Sequence, residues 1–390
     1  MLKREGTSIT MDSRAIPSLD GLRAISIFLV IVSHASMVPT FPAPRSLDRF
    51  LHLGYLGVRV FFVISGYLIT SLLLKEADTQ GCINLRKFYY RRALRIFPPF
   101  YVFMAIVLFV CWLGLLADVS SGGLRGMIPS LFYLSNYLPG NWYSGHSWSL
   151  SVEEQFYLLW PLMLLTLGRR RSFRLAASTL LIIPMIRLGY LLLFHAGGAR
   201  HIGSTFETAA DAIATGCVLA AARQWLQARP GYAAILRSKW FWIMPGCVMG
   251  LQFLFSDSIR YTYAISITVG YTLMNIGIAL TLDRVVTYPN DAIGRLLNSR
   301  PLVSIGIVSY SIYLWQQIFL SPYDDGFAFR FPINLAFVAL ASTASYFLIE
   351  RPALRLRQRW EPRLFASAGQ QHPRTPHSNI LIDPEPATSD

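Results

Sequence analysis

The chain has 390 residues, 53% of them hydrophobic and 14% charged, with a mean hydropathy of +0.42. Soluble domains carry about 25% charged residues, so a soluble fold is excluded and a polytopic membrane protein is expected. The formal net charge of +14 does not mark a nucleic-acid partner, because the basic residues sit in short clusters between apolar blocks.

Ten apolar blocks, each of about the 20 residues a bilayer demands, lie at 18–38, 55–74, 97–117, 149–167, 174–194, 206–226, 240–256, 261–281, 302–320 and 331–349. They predict an all-α bundle of about ten transmembrane helices over residues 18–357. A short segment, 1–17, precedes it. The tail, 358–390, ends in Pro-, Ser- and His-containing sequence that reads as disordered. Lys and Arg collect at both termini and after the second, fourth, sixth and eighth blocks, and the other connections are poor in them. This alternation puts both termini in the cytoplasm and the long segment 118–148 outside.

The first block, SLDGLRAISIFLVIVSHASM, carries Arg23 and His34. Eleven residues at 100° each make about three turns plus 20°, so both side chains share one helix face, about 16 Å apart along the axis. Arg23 falls near the cytoplasmic boundary and His34 about one turn inside the outer one. An ionisable group inside a span is a functional-site candidate. Arg23 could equally snorkel to the interface while His34 meets a neighbouring carbonyl. The block also loosely resembles a signal peptide cut near Ala35, and charge counting does not separate the two readings.

In the second block, GVRVFFVISGYLIT places Arg59 in its outer part and Ser65-Gly66 at its middle, where small residues permit close helix packing. Before the third block, FYYRRALRIFPPFY sets Arg92 and Arg95 three apart on one helix face. Guanidinium forks suit phosphates, although positive-inside anchoring accounts for them as well. Pro98-Pro99 is expected to bend or begin the helix there. The fourth block opens with HSWSLSVEEQFYLLWP. Counted inward from the outer boundary, Glu153 and Glu154 reach the depth of His34, and one of them is expected to face it as an acid–base partner. The four cysteines, Cys82, Cys111, Cys217 and Cys247, have neither metal nor redox spacing, so no disulfide and no metal site is expected.

These stretches, in order, resemble the acyltransferase 3 family of integral membrane acyltransferases. So do TFETAADAIATGCVLA, PLVSIGIVSYSIYLWQQ and SYFLIERPALRLR. Together the matching stretches span about residues 18–357. The resemblance implies transfer of an acyl group, usually acetyl, from cytoplasmic acyl-CoA to a hydroxyl of a carbohydrate or related acceptor at or beyond the membrane. Family acceptors include O-antigen, exopolysaccharide, peptidoglycan, lipooligosaccharide signals and macrolides. Some members carry a further extracytoplasmic esterase-like domain; the chain stopping soon after its tenth block reads as the stand-alone form. By the same resemblance, His34 is the essential histidine, either a general base or an acyl-carrying nucleophile. Glu153 orients or assists it, and Arg23 joins Arg92 and Arg95 in holding the CoA phosphates. Trp148, Ser149, Arg59 and Gln316 are candidates for the acceptor side. No permanently bound cofactor is implied.

Three positions depart from the family pattern. Gln316 in YLWQQ stands where many members have histidine, Ala209 where an arginine often precedes Asp211 by two residues, and Arg59 where many have aspartate. Asp211 is therefore expected to lack a familiar partner. Two other readings of the sequence are a proton-coupled exporter of a sugar or drug-like molecule and a structural partner in an envelope polysaccharide complex.

Overall fold

A computed structural model describes residues 16–42, 51, 53–116, 123–138, 140–198, 202–256 and 264–365, and every regular element among them is helical. The segment before residue 16, the tail from 366 and, among other short stretches, residues 117–122 lie outside the described residues.

Helix α1 (Pro17–Ala35) opens with proline at its first position, where a missing N–H costs nothing. Leu19, Ile27 and Val30 bury its apolar face, and it packs between α2 (Gly54–Gln80) and α8 (Arg300–Phe319). It is thus a packed member of the bundle. Helix α3 (Leu85–Trp112) starts at an Asn84 cap, whose side chain accepts from the Lys87 N–H at 3.0 Å. The helix runs through Pro98 and Pro99, so these prolines do not begin it. Arg92 and Arg95 sit within its first three turns.

Helix α4 (Ser147–Gly198) covers two of the expected blocks. Gly168 interrupts it with φ +75°, a left-handed conformation that glycine adopts without a Cβ clash. The chain folds back at this point. Ser172 Oγ reaches the Met163 carbonyl at 2.9 Å, and the Trp160 and Phe173 rings meet at 6.0 Å. In a straight helix, nine and thirteen residues would hold those pairs about 13 and 19 Å apart along the axis. Helix α5 (Phe206–Gln227) then packs on α2. A Cβ at Gly66 would lie 2.0 Å from the Ile213 carbonyl oxygen, and one at Gly216 would lie 2.1 Å from that of Val63. Two glycines therefore let the backbones touch, the packing role expected of the small residues in the second block.

The longer remaining helices are α6 (Ile243–Ser256), α7 (Tyr271–Thr287), α8, α9 (Ile333–Ser345) and α10 (Arg351–Phe365), with a π-helical turn, Tyr346–Glu350, joining the last two. Among the described residues, seven helices are long and apolar enough to cross a membrane. The blocks at 206–226 and 240–256 are helical, as α5 and α6, but neither is among the seven; α6 has only 14 residues. The outer faces of the long helices carry large apolar side chains, with Leu181 and Leu193 each 76% exposed. That is the surface of a bundle solvated by lipid rather than water.

Candidate active site

Two neighbouring cavities lie within the bundle. The first gathers Arg23 from α1, Arg92 and Arg95 from α3, and Glu153 and Glu154 from α4. Arg23 Nη1 donates to Asp20 Oδ1 at 3.1 Å. The Arg92 guanidinium stands over the Tyr157 ring at 5.2 Å. Glu153 Oε1 accepts from Ser65 Oγ at 2.6 Å, and Tyr157 donates to the same Ser65 oxygen at 3.3 Å. Three guanidinium groups beside two carboxylates form a polar chamber suited to a multiply charged anion.

The second cavity contains His34, His146, Trp148, Tyr55 and Gln317. His34 Nδ1 is 2.8 Å from Gln316 Oε1. With the Gln316 amide oxygen turned to the ring, as here, Nδ1 is the nitrogen that carries the proton and Nε2 keeps its lone pair. Trp142 meets the His34 ring edge-on at 5.8 Å. The indole donates to the Gln317 carbonyl at 2.9 Å and the Gln317 amide donates back to the Trp142 carbonyl at 2.5 Å, clamping the short turn Trp142–Gly145 to α8 beside Gln316. Val58 and Tyr313 line both cavities and so form the wall between them.

The start of α4 is held by its own polar pattern. Ser147 Oγ donates to Ser130 Oγ at 2.8 Å, and Ser135 Oγ lies 2.9 Å from both Ser147 Oγ and Ser151 Oγ. Gln155 and Asn136 exchange amide hydrogen bonds at 3.0 and 3.1 Å. Ser147 and Ser151, four residues apart on one helix face, and Gln155 thus fasten α4 to the preceding loop. Ser149 Oγ and the Tyr313 hydroxyl, 2.6 Å apart, brace the wall between the cavities.

The expected residues are partly brought together. Arg23, Arg92 and Arg95 share one cavity, and Arg23 and His34 open into different cavities from the same helix. Glu153 does not meet His34: its partner is Ser65, and the partner of His34 is Gln316. The helix begins before its apolar block does. The chain already packs inside the bundle from Trp142, and Trp148 is the α4 residue level with His34. Glu153 lies five residues, about 7.5 Å, further in. Glu154 lines the arginine cavity as well, so both carboxylates turn inward.

Trp148 lines the histidine cavity, stacked on Tyr55 at 6.3 Å, and Ser149 lines the arginine cavity. Arg59 lines neither. Its guanidinium is 1% exposed, donates to Tyr55 at 2.7 Å and Asn275 at 2.9 Å, and lies 3.5 Å from Asp211. Asp211 is fully partnered, against expectation. Arg187 donates to it at 2.5 Å and Thr272 at 2.6 Å. The arginine missing at position 209 is replaced by two from other helices. Arg187 and His146 were not singled out in the sequence. Arg187 is a charge inside an apolar block, the signal that marks buried function or pairing, and His146 opens the serine-rich stretch. Among the described residues no group of His, Cys, Asp and Glu has the makings of a metal site.

A family described as "Acyltransferase domain" (Acyl_transf_3) matches residues 16–351. The chain belongs to this acyltransferase family. Its relatives include O-acetyltransferase OatA of Staphylococcus aureus strains NCTC 8325 / PS 47, COL and MRSA252, each 29% identical over 369 residues, covering 87% of this chain and 57% of the relative. The chain therefore spans less than two thirds of the length of these relatives. No solved structure matches the chain. The acyltransferase match contains both cavities entire, and with them the Gln316 that contacts His34.

Proposed function

We propose that this chain is a membrane O-acyltransferase that moves an acyl group, acetyl first among candidates, from cytoplasmic acyl-CoA to a hydroxyl of a cell-envelope or exported carbohydrate. The observation that carries the reading is the pair of cavities sharing one wall, three arginines on one side and a histidine with a free Nε2 lone pair on the other. In this reading the bundle crosses the bacterial plasma membrane ten times with both termini in the cytoplasm. The Lys and Arg alternation supports that orientation, with the arginine cavity inward and the histidine cavity outward.

Arg23, Arg92 and Arg95 hold the CoA phosphates through charge-assisted forks, and Glu153 and Glu154 keep the three cations spaced before the donor arrives. The pantetheine arm passes Val58 and Tyr313 toward His34. His34 Nε2 takes the proton of the acceptor hydroxyl as its oxygen attacks the thioester carbonyl. The C–S bond then breaks, and the proton passes to the departing thiolate. Gln316 holds the imidazole in the tautomer this step needs, and Trp148 offers an aromatic face to a sugar ring. Family membership supports transfer over the exporter reading.

The test is incubation of the purified protein in nanodiscs with radiolabelled acetyl-CoA and hydroxyl acceptors. Label on the acceptor, matched by free CoA, is expected. No CoA release with any acceptor contradicts the reading.

A further inference from the structure

His146 has no role in the chemistry described so far. It is 3% exposed and lines the cavity that holds His34. Its ring is placed by aromatic edges, Tyr313 at 5.3 Å and Phe103 at 5.5 Å, rather than by polar contacts. Among the described residues neither ring nitrogen has a hydrogen-bond partner; the Gln317 amide lies beside the ring without closing a bond of normal geometry. Buried polar atoms are nearly always satisfied, so an imidazole at the cavity's edge whose two covered nitrogens the protein leaves unpaired is a candidate contact for a bound group.

Three of the other polar groups of this cavity are already engaged. The Tyr55 hydroxyl donates to the Gly203 carbonyl at 3.2 Å, that of Tyr313 to the His146 carbonyl at 2.9 Å, and the Gln317 amide to Trp142. His34 already supplies a lone pair. Acyl transfer also needs a donor for the oxygen that becomes negative as the hydroxyl adds to the thioester carbonyl. A neutral imidazole has one N–H to give, and both rings line the same cavity of about 220 Å³.

We propose that His146 is a second catalytic histidine, whose N–H donates to the acyl carbonyl oxygen of the donor and stabilises the tetrahedral oxyanion. It stays neutral throughout: the C–O bond forms, the C–S bond breaks, and the proton travels from hydroxyl to His34 to thiolate without passing through His146. The inference rests on the acyl-transfer reading above.

His146→Phe keeps the aromatic contacts and removes both nitrogens. Measured with acetyl-CoA and a panel of methyl glycosides, it is expected to lower kcat by about 10²–10³-fold, the usual effect of losing one oxyanion donor, with acetyl-CoA affinity and melting temperature unchanged. His146→Gln, whose amide can donate, is expected to recover part of that loss and to keep the acid limb of the pH–rate profile, which belongs to His34. Should the Phe variant not fold, His146→Leu carries the same test. Wild-type kcat in the Phe or Leu variant overturns the proposal, as does a loss that appears equally in donor affinity. Wild-type protein that acylates no acceptor would instead remove the transfer reading itself, and this inference with it.

Discussion

His34 and Gln316 meet at 2.8 Å although 282 residues separate them in the chain. The contact joins the first helix to the eighth and decides which imidazole nitrogen carries the proton. Gln316→Leu removes the acceptor and frees the ring to take either tautomer. Transfer is expected to fall by at least about tenfold, a fraction of the 10²–10⁴ that a positioned base contributes, with acetyl-CoA affinity retained. Gln316→Glu, which accepts at the same place, is expected to preserve the tautomer and most of the rate. Equal losses in both variants would remove Gln316 as the orienting group.

The arginine cavity makes its own prediction. Arg95→Ala is expected to weaken acetyl-CoA binding by about 10–100-fold, the equivalent of one hydrogen bond to a charged group. Arg95→Lys should recover only part, because an ammonium lacks the planar fork. Isothermal titration of the purified variants reads both. Unchanged affinity in Arg92→Ala and Arg95→Ala would leave these residues as membrane anchors.

Glu153 and His34 line different cavities, so their substitutions are expected to act independently. Glu153→Gln should mainly alter donor affinity, through the arginines, and His34→Ala should mainly alter kcat. The losses in kcat/KM should then multiply in the double variant, since residues without shared partners add in free energy. A double variant no worse than His34→Ala alone would mean the two work as one unit after all.

The buried network around Asp211 is expected to govern stability rather than acceptor choice. Asp211→Ala leaves Arg187 and Arg59 facing each other in a site where Arg187 is fully buried and Arg59 nearly so. Removing one partner of a buried ion pair costs about 3–5 kcal/mol, which a detergent melting curve should show as a large drop. Arg59→Met leaves the Arg187–Asp211 pair intact and should be milder, with the acceptor KM unchanged. An altered acceptor KM without destabilisation would return Arg59 to the binding site.

The helical membrane class was readable from hydropathy alone, because lipid permits few alternatives to helices. The sharing of a cavity by Arg92 and Arg95 was readable from a spacing of three. Partnerships between distant helices were not. The Gln316 contact, the double arginine clasp on Asp211 and the burial of His146 depend on how helices lie side by side, which residue spacing along one helix does not encode. The level of Glu153 was misread for a local reason. The turn Trp142–Gly145 already sits inside the bundle, so depth counted from the first apolar residue of the block started too late.

The central claim is that donor binding and proton abstraction occur in separate chambers joined past Val58 and Tyr313. The direct measurement is acetyl-CoA affinity and single-turnover transfer on the same two preparations, His34→Ala and Arg95→Ala. The account predicts that His34→Ala binds acetyl-CoA as wild type does and transfers at least about 10²-fold more slowly, while Arg95→Ala binds weakly yet transfers near the wild-type rate once saturated. Loss of donor affinity in His34→Ala, with a normal rate at saturation, would contradict it.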